Sequence, residues 1–588
     1  MFSSIYSPDN QMSYFLIDHY YVIQSNKPQI QKLIFAHCLF FKALQEDLID
    51  SAASSTETDS NYVQVCKSIA QQVQKEANLP VTTILKIKRE TASKYHLSTL
   101  PKNQHIMEYL SNDSQYRKVL MVRPIKTASG VVVIAVMPKP FECPHGRCIY
   151  CPGGIEFNTP LSYIGSEPST KSAQRFGYDP YVQVQYKLSQ LYTRGHDIGK
   201  VELVIVGGTF PFMPIEYQKD FAKSCFDALN GIKSSANLKE AIKTNENAKI
   251  RCVGFTVETK PDYCKQQHID LMLELGVTRV EIGIQSLRNE VYRTVNRGHT
   301  LGDVIESFQV ARNAGYKIGA HMMPGLPNSS PEKDIQDFRT LFEDPSFKPD
   351  MLKIYPTLVL KHTGLYKLHQ DGRYSAYSDD DLTNVLVAVK KMIPPWVRIM
   401  RVQREIDSKD IVAGSKSGNL RQIVLQKLAE MGLKCNCIRC REAGLQRRRL
   451  REDEVTMNRI DYFASNGHEV FLSFESMDKS TILGFLRLRK VLNPYRKELK
   501  EVEDDATAIV RELHVYGQML DIGKKRNDNS YQHKGYGIQL MQEAERIAKD
   551  EFNVKKLSVI SAVGTRKYYK KFGYIQNGPY VSKVLQSQ

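Results

Sequence analysis

Val131-Val-Val-Ile-Ala-Val-Met-Pro-Lys-Pro-Phe-Glu-Cys-Pro-His-Gly-Arg-Cys-Ile-Tyr-Cys151 sets an apolar run directly before a loop that carries three thiols within nine residues. The run 131–136 reads as a buried strand that ends before Pro138 and Pro140. Thiolates are the ligands that soft iron and zinc prefer, and a loop can wrap them around one centre. A structural zinc ion wants four protein ligands. A four-iron cluster held by Cys143, Cys148 and Cys151 keeps one iron open for another molecule. His145 within the loop could complete a zinc site, so both metals remain open on these residues alone.

Outward from this stretch, short apolar runs recur at 201–206, 249–256, 279–284, 316–321 and 351–354, with longer amphipathic segments between most of them. Strand, helix, strand in repetition predicts an α/β fold built on a parallel sheet, here an open or closed (β/α) barrel. Gly207-Gly208-Thr209 directly follows the second run, at a strand's carboxyl end, where such barrels bind their ligands and where backbone must approach a ligand closely. Together with the three cysteines this resembles the radical S-adenosylmethionine (SAM) superfamily, whose partial barrel holds a [4Fe-4S] cluster. There the methionine moiety chelates the open iron and a Gly-Gly turn meets its amino group.

Pro394-Pro395-Trp396 punctuates the chain, and Cys435-Asn-Cys437-Ile-Arg-Cys440 follows, a loop tight enough to favour a metal over free thiols. Its neighbours Arg447–Arg449 and Arg451 could line a nucleic-acid surface or simply a solvated face. From about residue 462 strands dominate again (470–473, 482–489 and 508–515), before a helical pattern at 538–551. Gln532-His-Lys-Gly-Tyr-Gly537 stands at that junction, where glycines let N–H groups converge on a diphosphate at a helix N-terminus. Arg566-Lys-Tyr-Tyr-Lys-Lys-Phe-Gly-Tyr574 adds basic and aromatic groups. The combination resembles GNAT acetyltransferases, which bind the pyrophosphate of acetyl-CoA on the glycine turn. The GNAT tyrosine near the thioester matches Tyr569, flanked by Tyr568.

The 588 residues hold 81 Lys and Arg against 64 Asp and Glu, a net charge of +17, so a polyanion is a sensible partner. The length predicts several folding units and, with 42 % hydrophobic residues, excludes both a short scaffold and a disordered chain. No apolar run approaches the ~18 residues of a membrane span, since 33–44 is broken by His37 and Lys42. Asp9, Asp18 and Glu46 argue against a targeting peptide, and a cytoplasmic protein is expected. Six of the 11 cysteines sit in two tight clusters, which in a reducing compartment point to metal. The expected organisation is an extension over 1–60 ending in a polar linker, a basic helical module over 61–120 and the barrel over 121–395. A zinc-binding connector over 396–455 and the acetyl-CoA domain over 456–588 complete it.

Further stretches sharpen the resemblance: Val136-Met-Pro-Lys-Pro140, Tyr178-Asp-Pro180, Val206-Gly-Gly-Thr-Phe210, Glu258-Thr-Lys-Pro-Asp-Tyr263, Glu281-Ile-Gly-Ile-Gln-Ser286, His321-Met-Met-Pro324, Ile354-Tyr-Pro-Thr357 and Arg511-Glu-Leu-His-Val-Tyr-Gly517. From about residue 79 to 584 the chain resembles the catalytic subunit of Elongator and its stand-alone archaeal and bacterial relatives. The resemblance implies a tRNA-modifying enzyme that forms 5-carboxymethyluridine at the wobble position from SAM and acetyl-CoA. It carries the cluster ligands onto Cys143, Cys148 and Cys151, and a structural zinc onto Cys435, Cys437 and Cys440 with a fourth ligand unnamed. It assigns Lys200 to acetyl-CoA contact, Glu512, Leu513, His514 and Val515 to the pantetheine arm, and Gln532 and Gly535–Ile538 (Tyr536, Gly537 and Ile538 above all) to the pyrophosphate.

Lys200, Tyr568 and Tyr569 are thus the expected catalytic residues, and Lys86, Lys88, Arg89 and Lys94 are expected to hold the anticodon stem-loop. The four-residue gap between the first two cysteines resembles the prokaryotic members, which implies a single-chain enzyme, expected as a homodimer served by a separate electron donor. The rival is a protein lysine acetyltransferase with a structural iron–sulfur domain, which would draft Glu512 or a neighbour as its base.

Overall fold

The structure is a computed structural model that describes residues 60–111, 113–446, 450–500, 506–516 and 535–585. It divides into two compact units, one ending at Leu120 and the other beginning at Met121. In the first unit, helices α1 (Ser60–Gln74) and α2 (Val81–Lys94) precede two short helical turns, Asn103–Met107 and Tyr116–Val119. Val65, Ile69 and Val73 recur at helical spacing on α1 and are fully buried, in a core with Ile84, Ile106 and Met107. The unit is helical, as its periodicity predicts.

The second unit opens with a parallel sheet. Its strands are β1 (Val132–Val136), β2 (Lys200–Ile205), β3 (Arg251–Thr259), β4 (Arg279–Gln285), β5 (Lys317–Met322), β6 (Met351–Ile354) and β8 (Arg398–Arg401). They pair in that order, each parallel to the next. β1 and β8 are the two edges, so the barrel is partial. The two-residue strand β7 (Val359–Leu360) pairs separately with β9 (Ile411–Ala413). The seventh barrel strand extends the sheet past residue 395, where the sequence reading ends the barrel.

Alternation along these strands separates two environments. Val132, Ile134 and Val136, Val201, Leu203 and Ile205, and Val280, Ile282 and Ile284 all belong to the main hydrophobic core. The alternate residues line a central cavity: Val133 and Ala135, Glu202 and Val204, then Arg279, Glu281, Gly283 and Gln285. The outer face is what makes this a barrel; the inner face is charged.

The C-terminal sheet runs β10 (Val455–Ala464), β11 (Gly467–Ser476), β12 (Ile482–Leu492), β13 (Ala506–Val515), β14 (Lys556–Val559), β16 (Tyr580–Val584), β15 (Ile575–Asn577). Every pair is antiparallel except β13 with β14. That parallel ladder holds only from Ala508 to Val510, so from Arg511 onward β13 departs from β14 and a cleft opens between them. Gly535, at φ +90°, caps helix Tyr536–Arg546, which continues into a wider turn at Ile547–Glu551.

A buried ionic network joins the barrel to this sheet. Arg511 donates to both oxygens of Asp350 and to the carbonyl of Tyr316, while Arg489 and Arg511 share Glu469. Asp350 is the residue before β6, and its carboxylate also accepts from the Ile318 N–H.

Candidate active site

The three cysteines sit on one wall of the cavity at the carboxyl end of the barrel. Cys148 Sγ lies 3.2 Å from His145 Nε2 and 3.6 Å from Arg297 Nη1, Cys143 Sγ is 3.7 Å from Thr209 Oγ1, and Cys151 Sγ is 3.6 Å from Ser162 Oγ. Burial pushes the Cys143 thiol up and, with Cys148 nearby, Cys151 up to about 12. These thiols therefore become thiolates only when something cationic binds them. Lys260 Nζ stands 2.9 Å from His145 Nδ1; burial, with Lys260 and Arg297, lowers the His145 imidazole to about 4, so it is neutral.

Beside Cys143, Gly207 (φ +106°) and Gly208 (φ +64°) turn the chain in the left-handed region just before Thr209. A Cβ on Gly207 would meet Pro160 Cβ at 3.0 Å, and one on Gly208 would meet Phe141 Cζ at 3.2 Å. Arg297 Nε, Gln285 Oε1 and the Tyr150 hydroxyl are buried there without partners among the described residues. Soft donors, a bare backbone turn and orphaned polar groups fit an iron–sulfur cluster with a polar organic ligand.

The cavity, of about 1400 Å³, runs down the barrel to the C-terminal sheet, where Glu512, His514 and Tyr516 line it. A second cavity of about 100 Å³ lies against the β13–β14 cleft, lined by Leu513 and Tyr569 among others. Val131, Glu202, Arg279, Glu512 and His514 line both, and the Glu202–Arg279 ion pair is part of that shared wall. Burial would raise Glu512, yet Arg487 and Lys317 hold it below its ordinary range; Arg487 Nε donates to it at 2.8 Å. His514 Nε2 lies 3.2 Å from the carbonyl of Ser129, and burial lowers its imidazole.

Several expected residues are thus brought together: the three cysteines with Gly207–Thr209, and Glu512, Leu513 and His514 with Tyr569. Val515 follows them on β13, while Tyr536, Gly537 and Ile538 form the first turn of their helix. A Cβ on Gly537 would lie 2.7 Å from Tyr568 Oη, so that hydroxyl closes over the turn; burial pushes Tyr568 up to about 12. Gln532 and Arg447–Arg449 lie outside the described residues.

Lys200 starts β2 at the amino end of the barrel, ~23 Å along the strand from Gly207 at 3.3 Å per residue, and lines neither cavity; its expected contact with acetyl-CoA belongs to the end of the barrel that β13 crosses. One expectation is corrected. Lys88 is only 7 % exposed and donates to Asn103 Oδ1 at 2.7 Å, so its ammonium serves the core of the helical unit and not a phosphate. Lys86, Arg89 and Lys94 are exposed.

In the second cysteine loop, the sulfurs of Cys435, Cys437 and Cys440 lie within 4.8 Å of one another. Lys390, 1 % exposed, places Nζ 3.6 Å from Cys435 Sγ and 4.0 Å from Cys440 Sγ. Neither Lys390 nor the charged barrel interior was foreseen from sequence, because charged residues are ordinarily read as surface.

A thiol-lined partial barrel joined to a splayed mixed sheet defines a radical SAM enzyme fused to an acetyltransferase fold, and family comparisons agree. The radical SAM superfamily matches residues 140–341, the radical SAM C-terminal domain 349–430, the GNAT acetyltransferase family 440–574 and the ELP3 N-terminal domain 62–128. Radical SAM membership implies a [4Fe-4S] cluster and SAM; the GNAT fold implies acetyl-CoA.

Elongator complex protein 3 of Homo sapiens is 45 % identical over 517 residues, covering 85 % of this chain and 93 % of that protein. The tRNA uridine(34) acetyltransferase of Methanocaldococcus jannaschii is 44 % identical over 495 residues, 83 % and 91 % of the two chains. Among solved structures, the archaeal Methanocaldococcus infernus Elp3 with residues 1–46 deleted superposes with a TM-score of 0.68 at 41 % identity, over 78 % of this chain and all of that one. The chain belongs to the Elongator protein 3 family. No helix among the described residues is long and apolar enough to cross a membrane.

Proposed function

We propose that the enzyme forms 5-carboxymethyluridine at the wobble position of tRNA, taking the two-carbon unit from acetyl-CoA. The single observation that carries this reading is the continuous barrel cavity, lined at one end by Cys143, Cys148 and Cys151 and at the other by Glu512 and His514. An acetyltransferase with a merely structural cluster has no use for such a passage.

Cys143, Cys148 and Cys151 would hold the cluster and Gly207–Thr209 the SAM beside it. When bound, the pair would supply an alkyl radical able to remove a hydrogen atom from the acetyl methyl group; the carbon radical left would bond to C5 of uridine, and the base would then lose its C5 proton and return one electron to the oxidised cluster. The protein's own part is placement and exclusion. The edge of β13 beyond Val510 is positioned to pair with the amides of the pantetheine arm. Gly535 lets the helix start at Tyr536 receive the pyrophosphate. Buried walls of the barrel keep water from a reactive carbon centre. Exposed Lys86, Arg89 and Lys94 would hold RNA phosphates.

Further parts of the reading are a zinc ion on Cys435, Cys437 and Cys440, a cytoplasmic homodimer and a separate electron donor. The lysine acetyltransferase alternative needs a base at the thioester. Glu512, ion-paired with Arg487 and held below its ordinary range, is a poor one. Anaerobic incubation with unmodified tRNA, dithionite, SAM and acetyl-CoA, followed by nucleoside mass spectrometry, tests the reading. The wild type should yield 5-carboxymethyluridine and Cys148→Ala none; lysine acetylation that survives in Cys148→Ala, with no modified uridine from either protein, would refute it.

A further inference from the structure

Four neighbouring barrel strands bring ionisable side chains together in the cavity: Glu258 from β3, Glu281 from β4, His321 from β5 and Lys353 from β6, with Arg279 of β4 beside Glu281. His321 Nε2 lies 3.0 Å from Glu281 Oε2. Lys353 Nζ donates to Glu258 Oε1 at 2.9 Å and ion-pairs with Glu281. The carboxylates and imidazole lie within 4.8 Å of one another, a spacing a divalent cation could use, but the Lys353 ammonium already stands between the two carboxylates.

Burial would neutralise Glu281, yet Lys353, the His321 hydrogen bond and Arg279 hold it well below the usual carboxylate range. An ionised carboxylate only accepts hydrogen bonds. Nε2 is therefore the donor to Glu281 Oε2, and in the neutral imidazole the lone pair falls on Nδ1. Nδ1 has no hydrogen-bond partner among the described residues, and His321 lines the cavity. A carboxylate that fixes an imidazole's tautomer, with the second nitrogen open, is the arrangement of a general base.

We propose that His321 is the general base for hydrolysis of the thioester, oriented by Glu281; the inference rests on the function proposed above. The carbonyl carbon is one bond, ~1.5 Å, from the methyl carbon. A chain that delivers the methyl group to the cysteine end of the barrel therefore delivers the thioester to the same region, and His321 is the penultimate residue of β5, at that end. His321 Nδ1 takes a proton from water as the water oxygen bonds to the carbonyl carbon. The C–S bond then breaks, and the departing CoA thiolate takes the proton from the imidazolium. Water and thioester become carboxylic acid and thiol, with no change of oxidation state.

The test measures free CoA and 5′-deoxyadenosine together in single-turnover reactions of the full enzyme with tRNA. His321→Asn should lower the ratio of free CoA to deoxyadenosine by ~10²–10⁴-fold, the range of a general base, and leave a tRNA–CoA thioester adduct detectable by mass. Added imidazole should restore the ratio. Glu281→Gln should lower it, and Glu281→Asp should recover part of the loss. A wild-type ratio in His321→Asn, or a parallel loss of both products that imidazole does not relieve, overturns the inference. Deoxyadenosine without any CoA release or uridine product in the wild type overturns the functional reading instead.

Discussion

Arg511 and Asp350 meet through two parallel hydrogen bonds of 2.7 Å, both side chains fully buried, where β13 crosses the amino end of the barrel. The strand that carries Glu512 and His514 is thereby clamped to the barrel strands that carry Lys353 and His321. The β13–β14 cleft and the barrel cavity that holds the cysteine loop are held in register by charge as well as by packing.

Asp350→Asn should cost ~3–5 kcal/mol of stability, because it removes one of the two carboxylates that each of the buried Arg511 and Arg487 faces, leaving only Glu469 and Glu512 against them. Burial pushes the Asp350 carboxyl up, but Arg511 and Arg487 push it further down, below its unfolded value. Its stabilisation is then complete above the unfolded pKa of about 4 and is lost as pH falls through the lower folded value. Urea denaturation of both proteins between pH 7 and pH 3 checks this, with the gap between them narrowing toward pH 3. A constant gap would contradict the assignment.

Lys86→Ala, Arg89→Ala and Lys94→Ala should each weaken tRNA binding and reduce the slope of log K against log salt by about 1. Lys88→Ala should leave that slope unchanged and instead destabilise the helical unit by ~1–3 kcal/mol, since Asn103 loses its buried partner. Filter binding across a salt series, with thermal melting, separates the two behaviours.

Gly208→Ala forces a side chain into the left-handed region and against Phe141, a strain of ~1–2 kcal/mol before any ligand is considered. Iron content should stay at the wild-type level while SAM affinity falls at least tenfold, as read by equilibrium dialysis. Unchanged affinity would remove the turn from the SAM site.

Cys437→Ser should release the zinc assigned to the second cysteine loop and lower the melting temperature, while the iron content stays unchanged. Metal analysis by plasma mass spectrometry reads both metals in one sample. Equal zinc in variant and wild type would exclude the loop as the site.

The barrel was legible because its outer face is apolar: six runs picked out by hydrophobicity correspond to β1–β6 within a few residues. β8 escaped because Arg398–Arg401 is four residues long with an arginine at each end. β10 escaped because it is an edge strand on which only Tyr462 and Ala464 are buried, so no apolar pattern marks it. The cysteine loops were legible because spacing alone constrains a metal ligand. Lys88 was misjudged by the rule that lysines face water. The charged lumen was hidden for the same reason: Glu281 and Lys353 look like surface residues until the sheet closes around them. The only trace was their alternation with apolar residues, Arg279-Val-Glu-Ile-Gly-Ile-Gln285 on β4.

The central claim is that the methyl carbon of acetyl-CoA becomes the carbon bonded to uridine. Acetyl-CoA deuterated in all three methyl positions, given to the reconstituted enzyme with tRNA and SAM, tests it most directly. The account predicts one deuterium in 5′-deoxyadenosine and the other two in the methylene of wobble 5-carboxymethyluridine. Unlabelled deoxyadenosine, with intact trideuterated acetyl groups on protein lysines and no modified uridine, would contradict it.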